Sequence, residues 1–294
     1  MSAVPGLFAL RLERRRRIGR VFHAVCFVFT LSGIAALAVL LLDIFFDGWR
    51  WLSVSFLTRY PSWIDPARGG IKSALWGTIW VIGITAAVSI PVGVGAAVYL
   101  QEYARQNRVT RFIQLNIANL AGVPSIVYGI LGLAVFIRWM ALGRSVLSGA
   151  LTMSLLILPV IIIASQEALS AVPNSIRHAA YALGATRWQM IRHHVLPAAL
   201  PGIMTGVILA LSRAIGEAAP LVMIGAQAYV TFTPRGPMDA FTVLPIQIFN
   251  WADQPQEEFH HLAAAAILVL LAILLSMNAL AIGIRSWQQR KRPW

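Results

Sequence analysis

Charged residues are scarce in this sequence. They make up 12% of its 294 residues, whereas soluble globular domains contain roughly a quarter. Hydrophobic residues make up 58%, which excludes an intrinsically disordered chain and indicates a protein whose solvent is largely lipid. The single cysteine, Cys26, excludes a disulfide scaffold. The few charges are mostly positive, with a formal net charge of +13, so nucleic-acid binding has to be considered.

The motifs of common catalytic and cofactor sites are also absent. The chain has no G-x-x-x-x-G-K-[ST] loop for ATP, no H-E-x-x-H or Cys/His zinc spacing, and no G-x-S-x-G serine elbow. Each of its two His-His pairs, His193-His194 and His260-His261, is adjacent in sequence and would point about 100° apart on a helix, which does not favour chelation. The sequence therefore predicts no catalytic residue, no metal and no cofactor.

Long apolar runs dominate what is present. A membrane-spanning helix needs about 20 mostly apolar residues, and six stretches qualify. They cover about Val21–Phe46, Ala74–Leu100, Phe112–Ile137, Ser145–Ser165, Pro197–Val230 and Leu262–Ile284. The first run is too long for a signal peptide and is followed by no cleavage site, so it is interpreted as a retained helix. The fifth is long for one span, and we interpret it as a span followed by a bent extension. The predicted fold class is an all-α integral membrane protein with six transmembrane helices.

The distribution of basic residues predicts the orientation. With six spans, the side that holds both termini collects sixteen Lys and Arg residues and the opposite side seven. Basic residues concentrate on the cytoplasmic side of membrane proteins. We therefore expect a multi-pass membrane protein with both termini in the cytoplasm, and the family resemblance given below implies the bacterial inner membrane. Because the basic residues flank the spans, they favour contact with membrane lipid over nucleic acid.

The spans divide the chain into four regions. Residues 1–20 form a basic cytoplasmic tail, residues 21–72 the first span with an external loop, residues 73–285 the transmembrane core, and residues 286–294 a second cytoplasmic tail. The longest internal segment between spans is 166–196. The external segments, about 47–72 and 231–260, and this internal one are too short to fold as soluble domains.

That internal segment has the pattern of a surface helix pair. Pro173 can open a helix, Gly184 can end it, and Thr186 can cap a second short helix. Leu196-Pro197 is expected to end the second helix before the fifth span. Trp188, Ile191 and Val195 fall near one face of it. Such a pair can be an inert brace or a docking site for a cytosolic partner.

The spacing of this segment resembles the cytoplasmic loop of ABC-importer permeases. That loop has the pattern Glu-Ala-Ala, three residues, Gly, nine residues, Ile-x-Leu-Pro. The matching residues here are Ala179, Ala180, Gly184, Leu196 and Pro197. His178 stands where the family usually has Glu, and His194 where it has Ile. The resemblance implies an ABC permease fold in which this loop, including His178, couples the chain to an ATPase.

Other segments resemble the permease A subunit of phosphate-specific importers. They are Gly69–Ile71, Gly122–Gly129, Leu209–Leu221, Leu244–Trp251 and Gln254–Phe259. The resemblance implies ATP-driven import of inorganic phosphate by a chain that is not itself an enzyme. It also implies three kinds of partner: a sister permease subunit in a heterodimer, two ATPase subunits and an external phosphate-binding protein. A permease for sulfate or molybdate, a stand-alone anion channel and an intramembrane enzyme are the alternatives.

Arg213 and Glu217 are two charges inside the fifth apolar stretch. Charges in a membrane span are energetically unfavourable and usually serve a function. Four residues apart on a helix, they share one face. They form either an internal ion pair that stabilises the span or a pair that faces the translocation pathway. The family resemblance favours the pathway, because both match its charged positions.

Glycines and prolines within the spans give weaker predictions. Gly202 and Gly206 form a small-xxx-small pair for close helix packing, either within this chain or against a sister permease. Pro91, Pro124, Pro159 and Pro220 are expected to interrupt helices. Broken helices often lie at transport pathways.

Overall fold

A computed structural model describes residues 5–105, 107–226 and 229–290, and these residues contain helices and loops but no β-strand. In chain order the helices are α1 (Pro5–Trp49), α2 (Val54–Thr58), α3 (Lys72–Val98), α4 (Arg108–Ala121), α5 (Ser125–Gly132), α6 (Val146–Ser170), α7 (Asn174–Ala182), α8 (Arg187–Met190), α9 (Leu196–Gly216), α10 (Ala219–Met223), α11 (Leu244–Ala252) and α12 (Glu257–Arg290). A 3₁₀ turn covers Pro66–Arg68. Segments with π-helical geometry extend α3 over Tyr99–Tyr103, extend α5 over Leu133–Trp139 and join α8 to α9 over Ile191–Val195.

Five helical segments within the described residues are long and apolar enough to cross a membrane. They are Ile18–Trp49, Lys72–Tyr103, Val146–Ser170, Arg187–Gly216 and Glu257–Gly283. The basic segment before Ile18 continues as part of α1 without a break, and α12 likewise continues to Arg290. The prediction of an all-α membrane protein is confirmed.

The third predicted span is broken near Pro124, where the sequence predicts an interruption. α4 and the helix that begins at Ser125 are bent by 104° relative to each other. The reason lies at Gly122–Pro124. Pro124 has no N–H to donate, and a residue that precedes a proline disfavours helical backbone angles. Val123 therefore leaves the helix, and α5 starts in a new direction.

Packing of α3 against α6 shows what the bent pair does in the fold. Thr85 of α3 donates its hydroxyl to the carbonyl of Ala150, 3.1 Å away near the start of α6. Further along α3, Gly93 lies against Ile161, which is also further along α6. The two helices are therefore parallel. Because α3 and α6 run in the same direction, the chain must cross the bundle once in the opposite direction after α3 and before α6. The α4–α5 pair makes this crossing.

The remaining long helices alternate in direction. Gly202 of α9 lies against Ala168 of α6, and Gly206 lies against Ala164, so these helices are antiparallel. α9 and α12 are also antiparallel, because Arg285 donates to Thr205 (2.8 Å) while Ser212 bonds Asn278 (2.8 Å). α12 therefore ends at the side of the bundle that carries segment 166–196. The described part of the chain passes between the two ends of the bundle six times when the bent pair counts as one passage.

The small-xxx-small pair in α9 packs within this chain. A methyl group on Gly202 would lie 2.7 Å from the Cβ of Ala168, and Gly206 is as tightly placed against Ala164. Because neither glycine has a side chain, the backbones of α9 and α6 approach closely. This contact joins α9 to the core, whose fully buried residues include Met153, Ile157 and Ile161 of α6.

Two of the four prolines named from the sequence do not interrupt a helix. Pro91 lies inside α3 and Pro159 inside α6, and both helices continue through them. Each proline removes one backbone hydrogen bond, and the extensive packing between α3 and α6 keeps both helices continuous. Pro124 does lie at a break, and Pro220 lies in the first turn of α10 after a break.

The segment 231–260 contains a buried helix. α11 packs against α3 and α12, and its Leu244, Gln247 and Trp251 are almost fully inaccessible. Leu244 donates its backbone N–H to the hydroxyl of Thr78 on α3 (2.9 Å). The sequence prediction placed this segment in an external loop. The structure shows that its middle is part of the packed core.

Candidate functional site

The loop between α6 and α9 has the helix–turn–helix form that its sequence predicts. α7 follows Pro173 and ends at Ala182. Gly184 then adopts φ +80°, a left-handed conformation that favours glycine. The N–H of Gly184 donates to the carbonyl of Tyr181, and the N–H of Ala185 donates to that of Ala180. These two bonds form a Schellman cap, which satisfies the last carbonyls of α7.

Thr186 caps the second helix as predicted. Its hydroxyl accepts from the N–H of Gln189, and the Gln189 side chain accepts from the N–H of Thr186. Leu196-Pro197 does not end this helix, which corrects the prediction. The chain remains helical from Arg187 to Gly216, because the π-helical segment Ile191–Val195 accommodates the proline that follows it.

The predicted coupling residues occupy different environments in this loop. His178, Ala179 and Gly184 are exposed, Leu196 and Pro197 are half-buried, and Ala180 is buried. Trp188, Ile191 and Val195 were expected on one face of the second helix. Ile191 and Val195 pack into the core, but Trp188 is exposed. Leu183 next to the turn is 88% exposed, and Tyr181 before the turn is exposed as well. The loop therefore presents an apolar surface at its turn.

A buried ion pair fastens this loop to the end of α3. Glu102 lies in the π-helical segment that follows α3, and its two carboxylate oxygens accept from Arg177 of α7 at 2.7 and 3.4 Å. The exposed fractions of these side chains are 6% for Glu102 and 14% for Arg177. Sequence reasoning missed Glu102. A signal was available, because it is an acidic residue beside a strongly basic segment, Arg105–Arg111.

Arg213 and Glu217 form an ion pair at the C-terminal end of the helix that runs from Arg187 to Gly216. Arg213 Nε lies 3.3 Å from Glu217 Oε1. Glu217 is the residue at which α9 ends, and its backbone is extended. The side chains are 43% and 23% exposed, so the pair lies on an accessible surface of this chain. The structure thus shows the ion pair of the first interpretation, and the pair is accessible from outside this chain; that it faces the translocation pathway stays a prediction.

The break between α9 and α10, directly after this pair, lies near the helix that follows the break between α4 and α5. α10 begins at Ala219 and crosses α5, where a Cβ on Gly129 would lie 2.8 Å from the Cα of Pro220. Tyr128, the neighbour of Gly129, donates its hydroxyl to the carbonyl of Leu120 in α4 (2.8 Å). The Gly122–Gly129 and Leu209–Leu221 motifs, distant in sequence, therefore meet at one place.

No metal centre forms among residues 5–105, 107–226 and 229–290, since no three His, Cys, Asp or Glu side chains converge there. The adjacent histidines His193 and His194 are exposed. His260 contacts the carbonyl of Gln254 (2.8 Å), and His261 lies 3.9 Å from Asp47. Two candidate sites follow from the described residues. One is the loop between α6 and α9, which Arg177 fastens to Glu102 and which we call the anchored loop. The other is the Arg213–Glu217 pair.

Comparisons with known proteins agree with this architecture. Residues 89–292 match the family described as "Binding-protein-dependent transport system inner membrane component". The chain is 34% identical over 267 residues to the probable ABC transporter permease protein YqgI of Bacillus subtilis (strain 168), a match that covers 85% of this chain and 90% of that protein. It is 33% identical over 296 residues to the phosphate transport system permease protein PstA 1 of Mycobacterium tuberculosis (strain CDC 1551 / Oshkosh), over 96% of this chain and 93% of that protein.

A solved structure has the same fold. It is the crystal structure of a bacterial ABC transporter involved in the import of the acidic polysaccharide alginate, with a TM-score of 0.60. The similarity covers 93% of this chain and 99% of that chain at 16% sequence identity. At this identity the likeness concerns the fold alone. Together with the family match, it confirms the resemblance seen in the loop: this chain belongs to the family of binding-protein-dependent transport system inner membrane components, the permeases of ABC importers.

Proposed function

We propose that this chain is the permease subunit of an ATP-driven importer that carries inorganic phosphate into the bacterial cytoplasm. The observation that carries the proposal is the 33% identity, over 96% of the chain, with a phosphate transport system permease. Two of the segments that resemble phosphate-importer permeases, Gly122–Gly129 and Leu209–Leu221, meet near the break after α9, where Arg213 presents an accessible guanidinium. A guanidinium presents a fork of N–H donors that suits phosphate oxygens.

The pathway role belongs to Arg213 and Glu217. Arg213 attracts the anion, and Glu217 holds the guanidinium in place and weakens its grip, since conduction needs release as well as entry. Their 3.3 Å contact supports the positioning role of Glu217. The exposed fraction of Arg213 supports access by an anion from outside this chain.

The anchored loop is the part that docks an ATPase. Its exposed residues His178, Ala179 and Leu183 offer a surface with an apolar centre, which a cytosolic protein can cover. Hydrolysis of ATP takes place on two ATPase subunits, because this chain carries no phosphate-binding loop for ATP. A sister permease completes a heterodimer around the pathway, and an external binding protein delivers phosphate.

The loop end of the bundle faces the cytoplasm in this proposal. Sixteen of the 24 basic residues belong to that side in the six-span arrangement, and seven to the other. The packing directions of α3, α6, α9 and α12 support six passages.

Reconstitution tests the proposal directly. The chain is co-purified with a candidate ATPase, sister permease and binding protein from the same organism and inserted into proteoliposomes. Uptake of radiolabelled phosphate is then compared with that of sulfate and molybdate. We expect phosphate uptake that requires both ATP and the binding protein. Preferential uptake of sulfate or molybdate would show that this oxyanion, and not phosphate, is the substrate. Uptake by this chain alone without ATP would show that it is a channel.

A further inference from the structure

We propose that Glu102 is a positioning residue that locks the docking loop to α3, so that a displacement of the loop by the ATPase moves the transmembrane core. This inference rests on the proposed function, because it assumes that the loop binds an ATPase. Glu102 belongs neither to the sequence pattern of the coupling loop nor to the Arg213–Glu217 pair.

The contacts around Glu102 join three elements of the fold. Arg177 of α7 holds both carboxylate oxygens of Glu102. The same guanidinium donates to the carbonyls of Val172 (2.6 Å) and Leu169 (2.9 Å) at the end of α6. One side chain of the loop thus bridges the ends of α3 and α6. These are the two parallel helices that form the centre of the core.

A second arginine strengthens the same connection. Arg187, the first residue of α8, donates to the backbone carbonyl of Glu102. Its guanidinium also lies 5.0 Å from the centre of the Tyr103 ring, within cation–π range. Arg177 and Arg187 lie on opposite sides of the Gly184 turn, so both halves of the loop are fastened to one short segment of α3.

Burial makes this connection stiff. A buried ion pair is unfavourable to desolvate, so it persists only where geometry and further hydrogen bonds compensate it, and removal of one partner leaves an uncompensated charge. Here the compensation comes from the two hydrogen bonds between Arg177 and Glu102 and from the carbonyls of Leu169 and Val172, which also accept from Arg177. Arg177 directly precedes His178 in α7, but its side chain is buried against Glu102, whereas His178, Ala179 and Leu183 are exposed. A substitution at Glu102 therefore changes the linkage and leaves the docking surface in place.

The test uses the complete transporter in proteoliposomes and measures phosphate imported per ATP hydrolysed. Glu102→Gln keeps the shape of the side chain and removes its charge. We expect this variant to retain ATPase crosslinking through a cysteine at His178 and to hydrolyse ATP. Its import per ATP should fall about tenfold, within the range typical of coupling between distant sites. A purely structural role would lower the amount of assembled complex without changing that ratio.

Two further variants complete the test. Arg187→Ala removes the second link without leaving a buried charge, and its ratio should fall to a smaller extent. Asp65→Asn alters an exposed ion pair with Arg68 and should keep the wild-type ratio. A wild-type ratio in both Glu102→Gln and Arg187→Ala would overturn the proposal. If Glu102→Gln does not reach the membrane, the Arg187→Ala ratio alone decides. A wild-type complex that imports no phosphate would refute the proposed function, whereas an active wild type with unchanged variants refutes this inference alone.

Discussion

Substitution of Arg213 separates a structural ion pair from a pathway residue. Arg213→Ala removes the guanidinium and leaves Glu217 at the end of α9 without its partner. If the pair only stabilises the helix, its loss should alter membrane levels and leave transport per molecule unchanged. If Arg213 attracts the anion, transport should be lost while the protein remains in the membrane.

The structure limits how much stability this pair can provide. Its atoms are 3.3 Å apart, but Arg213 is 43% exposed. In the water-filled pathway of the proposed function, exposed ion pairs contribute roughly 0.2–1 kcal/mol, and solvent screening at this exposure places the pair toward the lower end of that range. Such a loss is small beside the several kcal/mol of stability typical of a folded protein. We therefore expect near-normal membrane levels of Arg213→Ala and Glu217→Ala and no measurable phosphate uptake by either.

A charge swap provides the sharper measurement. In the double variant Arg213→Glu with Glu217→Arg, the guanidinium moves by four residues, which is about 6 Å along a helix. It also moves from a helical residue to one with an extended backbone. An ion pair could re-form in this variant, so a structural role predicts partial rescue, whereas a pathway role predicts none. Arg68→Ala, at an exposed arginine, is the matched control and should retain uptake. Near-normal uptake by either single alanine variant would refute the pathway role.

Three further predictions concern the loop, the topology and the core. Gly184→Val should reduce ATP-coupled uptake while the chain still inserts, because a left-handed backbone costs an L-residue about 1–2 kcal/mol; Gly184→Asn should retain more activity, and equal uptake by both would contradict the role of the turn. In a cysteine-free background, Ile64→Cys should react with an impermeant thiol reagent added outside intact cells and Gln288→Cys only after permeabilisation; the reverse pattern would invert the orientation. Gly206→Leu should destabilise the chain by about 1–3 kcal/mol through overpacking against α6, measured as lower membrane levels, whereas Gly83→Ala, where a methyl group meets no atom within 4 Å, should not; equal levels would contradict the close α9–α6 contact.

Hydropathy was sufficient to predict the fold class because lipid imposes a length and an apolar composition on every span. It could not predict the bend within the third span. α4 and α5 together have the length and composition of a span, and the 104° bend depends on three residues, Gly122 to Pro124. The prolines show why such breaks are hard to predict. Pro91 and Pro159 have the same chemistry as Pro124, but the surrounding packing keeps their helices intact.

The candidate sites were predictable to different degrees. The turn at Gly184 and the cap at Thr186 depend on local backbone chemistry, so the sequence was enough to locate both. The Glu102–Arg177 pair joins residues 75 positions apart, and no local pattern connects them. α11 was placed in an external loop for a related reason. Its burial depends on the neighbouring faces of α3 and α12, which a single segment does not reveal.

The continuous helix from Arg187 to Gly216 connects the two candidate sites. It has 30 residues, which corresponds to about 45 Å at 1.5 Å per residue. One end begins at the Thr186 cap beside the Glu102 cluster, and the other ends at Glu217, which contacts Arg213. The first turns of this helix pack into the core through Ile191 and Val195, and its middle is held to α6 at Gly202 and Gly206. We therefore expect a tilt of the loop to move α9 together with α6, and the guanidinium of Arg213 with them.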